Sequence, residues 1–132
     1  MILFGCIAMI YLQYRFGDNV PRFYRDRSCQ GAGWKREFPT IANEEIRNFL
    51  MLFVNAFAFH EKHKMLFSPN DSILSVYRSI YPNRWTPDSL ELETLVEDIK
   101  MEYGINLADY WNENLTLGEL FALTNEKRAG LV

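Results

Sequence analysis

The stretch Thr86-Pro87-Asp88-Ser89-Leu90-Glu91-Leu92-Glu93 decides the reading of this chain. Asp88 followed three residues later by Glu91 is a helix-opening pattern, in which side-chain oxygens satisfy the first unpaired amides. Beyond it, Leu92, Leu95, Val96, Ile99 and Tyr103 recur at helical spacing, and Gly104 supplies the stop. Glu91, Glu93, Glu97, Asp98 and Glu102 lie largely off that apolar stripe. The spacing therefore predicts an amphipathic, acidic helix. Ser89 sits at its threshold, where unpaired N–H groups and the positive end of the helix dipole favour a phosphate.

Working outward, Ile105 and Leu107 are expected to cover the core below this helix. Thr116-Leu117-Gly118-Glu119 reads as a capping box, with Leu117, Leu120, Phe121 and Leu123 lining a last helix. Residues 108–115 read as a loop or short helix, with Tyr110 and Trp111 as core plugs. Upstream, Asn43-Glu44-Glu45 opens a helix whose acids suit its first turn. Ile46, Phe49, Leu50, Phe53 and Phe57 form its stripe, and its end is expected among His60-Glu61-Lys62-His63-Lys64. Ser68-Pro69-Asn70-Asp71 is read as a further start, with Ser68 as cap and Pro69 in the first helical position. Ile73, Val76, Tyr77 and Ile80 follow on one face until Pro82 stops it, and Asn83-Arg84-Trp85 makes a turn. Four helical pieces and no strand signal predict an all-α fold, a small bundle.

The 132 residues fit one domain plus an N-terminal extension, and 48% apolar residues suffice for a core. The boundary is expected at 39/40. Residues 1–12 are apolar throughout, too short to span a bilayer as they stand and without the basic start of a secretory signal. Tyr14, Arg15, Phe16, Arg22, Phe23, Tyr24, Arg25 and Arg27 then form a basic-aromatic flank like that on the cytoplasmic side of a membrane segment. Three readings stay open for the apolar stretch: a short or clipped anchor, an interfacial segment, or an element packed on the domain. If residues 1–14 hold the chain to a membrane, the positive-inside rule places the rest in the cytoplasm, on the inner face. Residues 17–39 carry Pro21, Gly31, Gly33 and Pro39 without a sustained period and read as a linker or loosely packed arm.

Charge and motifs narrow the function. Residues 1–40 hold six basic and three acidic side chains, and the remainder eight and fourteen, for a net charge of −3. An acidic body argues against nucleic acid and for a partner with a basic patch. Cys6 and Cys29 match no zinc spacing and read as free thiols. His60 and His63 are three apart rather than the four of a zinc-protease helix, and no third ligand is evident, so they read as cations at a helix end. Trp85, Tyr110 and Trp111 invite a pocket reading, but aromatic plugs are the commoner role. No phosphate loop, paired carboxylates or Ser-His-Asp order supports catalysis, and the chain is read as no enzyme.

The order of these pieces resembles the acyl carrier protein family. Asp88-Ser89-Leu90 matches the triplet that opens its second helix, Glu102-Tyr103 and Ile105-Asn106-Leu107 match its exit, and Thr116-Leu117-Gly118-Glu119-Leu120 matches the opening of its last helix. The match covers about 40 residues, and the helix from Asn43 serves as the first by position. The resemblance implies a four-helix carrier bundle in which Ser89, between Asp88 and Leu90, bears 4′-phosphopantetheine. It also implies that Glu91, Glu93, Glu97, Asp98 and Glu102 form an acidic docking face for acyl-transfer or ligase enzymes and a phosphopantetheinyl transferase. The interior between helices would shelter an acyl chain. The chain departs from the family where Trp85-Thr86-Pro87 stands for the usual glycine and where a capped helix replaces the preceding loop. That departure keeps a second reading, a pantetheine-free interaction module of a divergent bacterial branch, tethered to a membrane through its N-terminus.

Overall fold

The computed structural model describes residues 20–81 and 90–130. Their regular elements are α1 (Arg22–Arg25), α2 (Gly31–Glu37), α3 (Asn43–Ala56), a first 3₁₀ turn (Glu61–Leu66), α4 (Ile73–Ile80), α5 (Leu90–Tyr103), a second 3₁₀ turn (Leu107–Asp109) and α6 (Leu117–Arg128). The fold is all-α, as expected. Extended pairing among the described residues is limited to one antiparallel bridge between Ser72 and Thr116. The four expected helices are present as α3 to α6, with α1, α2 and two 3₁₀ turns beside them. The readings of residues 1–19, of the turn at Asn83-Arg84-Trp85 and of the cap at Asp88 lie outside the described residues. No described helix is long and apolar enough to cross a membrane.

α3 is the central element because its apolar residues leave little of it for solvent. Ile46, Phe49, Leu50, Phe53, Val54 and Ala56 are all buried. It ends earlier than the histidine-lysine cluster suggested. Ala58 takes φ of 59°, its N–H donates to Asn55 O, and the Phe59 N–H reaches Val54 O at 2.8 Å. This is a left-handed helix stop built on alanine instead of glycine. It turns Phe57 and Phe59 into the core, where both are buried. The histidines therefore do not complement the end of α3. His60 starts the first 3₁₀ turn, its Nδ1 accepting from the Lys62 N–H at 3.1 Å.

α4 also starts later than expected. Ser68 and Asp71 do make half of a capping box, the Ser68 N–H donating to Asp71 Oδ2 at 2.7 Å. Yet these four residues form a turn, and Ser72 caps the helix. The backbone carbonyls that an earlier start would need are already taken. Pro69 O accepts from the Gly118 N–H and Asp71 O from the Leu117 N–H, both at 2.9 Å, while the Ile73 N–H donates to Leu115 O at 3.0 Å. The openings of α4 and α6 are thus laced side by side. Thr116 and Glu119 complete the expected capping box of α6.

Gly118 permits that lacing. A β-carbon there would stand 2.9 Å from both the Cβ and the carbonyl oxygen of Pro69. Gly118→Ala is expected to lower unfolding free energy by about 1–3 kcal/mol through overpacking, seen as a lower urea midpoint at unchanged slope. An unaltered midpoint would show that the two openings separate freely.

The segment expected as a linker is part of the core over residues 20–38. Val20, Tyr24 and Trp34 are buried. Trp34 lies between Phe38, Phe49 and Phe121, with Phe121 edge-on at 5.7 Å, and its Nε1–H donates to Phe67 O at 2.7 Å. Arg27 donates from Nη1 and Nη2 to the two carboxylate oxygens of Asp71 at 2.7 and 2.8 Å. That pairing pushes the Arg27 guanidinium above its ordinary pKa. The core therefore runs across the boundary expected at 39/40, because Val20, Tyr24 and Trp34 of this arm are buried in it, while Phe23 stays exposed.

Burial raises the hydroxyl pKa of Tyr24 above 10.0, with Asp71 adding to the shift, and burial likewise raises that of Tyr103. The folded state thus holds both phenols protonated. Their contribution is intact below the unfolded value near pH 10 and is lost as pH climbs through 10 towards the folded values. Denaturation midpoints are expected to begin falling near pH 10 through this linkage. Midpoints that stay level while ultraviolet absorbance shows both phenols ionised would contradict it.

Candidate functional site

The cleft beside the first half of α5 follows from two apolar edges that do not close. Leu95 and Ile99 on α5 are fully buried, while Leu92 and Val96 remain partly open on one side of the stripe. Gly104, at φ of 70°, reverses the chain after α5, and Ile105 and Leu107 then return to the core. The second 3₁₀ turn is opened by Asn106, whose Oδ1 accepts from the Ala108 N–H. This brings Leu107, Ala108 and Trp111 opposite Leu92 and Val96, with Leu74 of α4 as a third wall. The resulting cavity measures about 620 Å³ and has Glu93 and Glu97 at its edge. That size accommodates an acyl chain or a small-molecule tail.

The aromatic residues after the second 3₁₀ turn are not core plugs. Tyr110 and Trp111 are each 36% exposed, and Trp111 is a wall of the cleft. Leu74 and Ala108 were not singled out in the sequence. Leu74 falls off the stripe of α4, and an apolar residue off a stripe was the available signal.

The five acids of α5 do not share one face. Glu93 and Glu97, one turn apart, stand by the cleft and are exposed. Asp98 and Glu102 lie on the other side of the apolar stripe, where they meet Asn48, Met51, Leu52 and Asn55 of α3 across a groove of about 400 Å³. Glu91 is half-buried and accepts a hydrogen bond from the Tyr81 hydroxyl. Its second carboxylate oxygen is buried without a partner among the described residues. Glu91 is therefore a strut between the end of α4 and the first turn of α5, not an open docking acid.

Asp88 and Ser89 lie outside the described residues. Leu90 is the first residue of α5 and is 59% exposed. Met101, eleven residues on and 87% exposed, falls on nearly the same line of the helix. The outer face of α5 thus carries an apolar side chain at each end with exposed acids between them. Among the described residues no group of three or more His, Cys, Asp or Glu side chains gathers to hold a metal ion.

No protein-family model matches the chain, and no curated protein and no solved structure is significantly similar to it.

Proposed function

We propose that this protein is a carrier, holding an acyl or aminoacyl group on 4′-phosphopantetheine joined to Ser89. The observation that carries the reading is the apolar cleft along α5, whose first residue, Leu90, follows Asp88-Ser89 directly in the sequence. Leu92, the first cleft residue of α5, comes three positions after Ser89. The arm supplies a thiol that bears the cargo as a thioester. A tail folded back towards α5 meets Leu74, Val96, Leu107 and Trp111, a lining that suits hydrocarbon. Glu93 and Glu97 at the mouth, with Leu90 and Met101 on the outer line, suit partner enzymes that offer Arg or Lys beside an apolar contact. A modifying transferase and acyl-transfer or ligase enzymes are the partners this reading requires. The chain itself supplies shelter and docking, not bond-making groups.

The test is the intact mass of the protein co-expressed with a broad-specificity phosphopantetheinyl transferase. One arm-sized increase is expected in the wild type and none in Ser89→Ala, with both proteins giving the same helical circular dichroism. An unchanged wild-type mass in folded protein would remove the carrier reading. It would leave the exposed acids and apolar ends of α5 as the surface of a pantetheine-free interaction module.

A further inference from the structure

α1 carries an aromatic ring that the fold holds outward. Phe23 is 70% exposed, yet it stands edge-on to Tyr24 with centroids 5.1 Å apart, and the Arg27 guanidinium lies 4.8 Å from its centroid. Arg27 is itself clamped to Asp71. The ring is therefore fixed by an anchor that reaches the core. The ring is thus held in solvent by its packing on Tyr24 and Arg27, and a surface that covers it would bury apolar area.

What covers it is indicated by its neighbours. Arg22 and Arg25 flank Phe23 on α1 and are exposed. The first 3₁₀ turn, which brings Lys62 and Lys64, lies against this region. The Gln30 N–H donates to Met65 O at 2.7 Å, and Arg27 Nη1 reaches Leu66 O at 3.4 Å. On and beside these two segments the basic side chains Arg22, Arg25, Arg27, Lys62 and Lys64 outnumber the acids Asp26 and Glu61. In sequence, the chain reaches α1 from residues 1–12, which are apolar throughout, and then Tyr14, Arg15 and Phe16. The basic-aromatic character of the α1 face is thus continuous with the sequence leading into it. Aromatic rings beside cations, next to an apolar run, match the layering of a lipid interface.

We propose that the α1 face rests on an anionic lipid surface. Phe23 enters the boundary between headgroups and acyl chains, and Arg22 and Arg25 meet the lipid phosphates, with Lys64 on the adjoining turn adding to the positive field. The proposal goes beyond the carrier reading and does not involve Ser89. Under it the acids of α5 serve partners and the α1 face serves the membrane.

Co-sedimentation of the full chain with vesicles tests it, using phosphatidylcholine alone and phosphatidylcholine mixed with phosphatidylserine. Binding is expected to favour the anionic vesicles and to weaken as sodium chloride is raised. Arg22→Glu/Arg25→Glu is expected to weaken binding to anionic vesicles by roughly tenfold or more. Phe23→Ala is expected to weaken it by about tenfold, through lost apolar insertion. Ser89→Ala is expected to bind as the wild type does, which separates this result from the fate of the carrier reading. Circular dichroism checks that each variant folds, and Arg22→Gln/Arg25→Gln replaces the charge reversal if that one does not. Absence of vesicle binding would overturn the proposal, as would equal binding to neutral vesicles. Full binding by both the charge variant and Phe23→Ala would also overturn it, assigning attachment to residues 1–12 alone.

Discussion

Trp34→Ala is expected to lower the unfolding free energy by about 3–5 kcal/mol, the range for removing a fully buried aromatic side chain. Trp34 has no exposed surface, and three phenyl rings close round it. Its loss leaves a cavity that α2, α3 and α6 would have to collapse together to fill. It also leaves Phe67 O without the indole donor now 2.7 Å away. Domains of this kind are stable by only about 5–15 kcal/mol, so the change is expected to leave the chain near unfolding at ordinary temperature. Trp34→Phe keeps most of the ring and loses the donor, and is expected to cost less than half as much. Urea denaturation followed by circular dichroism reads both. A loss below about 1 kcal/mol for Trp34→Ala, the size of an ordinary surface change, would show that α2 is not held to the core as described.

Asp71→Ala is the second large effect. The carboxylate accepts from both terminal nitrogens of Arg27 and from the Ser68 N–H, and its removal leaves the guanidinium, among the described residues, with Leu66 O at 3.4 Å and the faces of Phe23 and Tyr24. Breaking one partner from a buried pair costs about 3–5 kcal/mol. Arg27 keeps 21% exposure, so water recovers part of this, and about 2–4 kcal/mol is expected. The pairing is separable from the rest by a double-mutant cycle with Arg27→Met. The double variant is expected to be more stable than the two single losses added together, because it leaves no orphaned charge. Additivity within about 0.5 kcal/mol would show that the two side chains act independently.

These two residues also show where the sequence was legible and where it was not. α3, α5 and α6 could be read because each buries a stripe at helical spacing and carries local stops or starts, such as Gly104 and the box at Thr116 and Glu119. The stop at Ala58 gave no warning, since an alanine in a left-handed conformation looks like any other alanine. Ser68-Pro69-Asn70-Asp71 misled for a different reason. Its local capping logic is sound, and half of it forms, but Arg27 and the amides of α6 compete for the same atoms from more than forty residues away. Residues 20–38 read as a linker because helices of four and seven residues are too short to display a period. Their burial is decided by single large side chains, Tyr24 and Trp34. In the candidate site, Val96 and Leu107 could be placed from their stripe and register. Glu91 could not be told from its fellow acids, because only the approach of Tyr81 distinguishes it. The turn after α5 that swings Trp111 to the cleft is tertiary in origin and leaves no periodic trace.

The lacing between the openings of α4 and α6 has a consequence for how the protein comes into being. Translation delivers α4 long before Leu115, Leu117 and Gly118 exist. Until they emerge, Pro69 O, Asp71 O and the Ile73 N–H have no chain partners and must be served by water. The nascent domain therefore cannot finish closing while its last helix is still inside the ribosome. A chain that stalls or is clipped before residue 115 would present a half-assembled aromatic core to chaperones and proteases, instead of a slightly shortened protein.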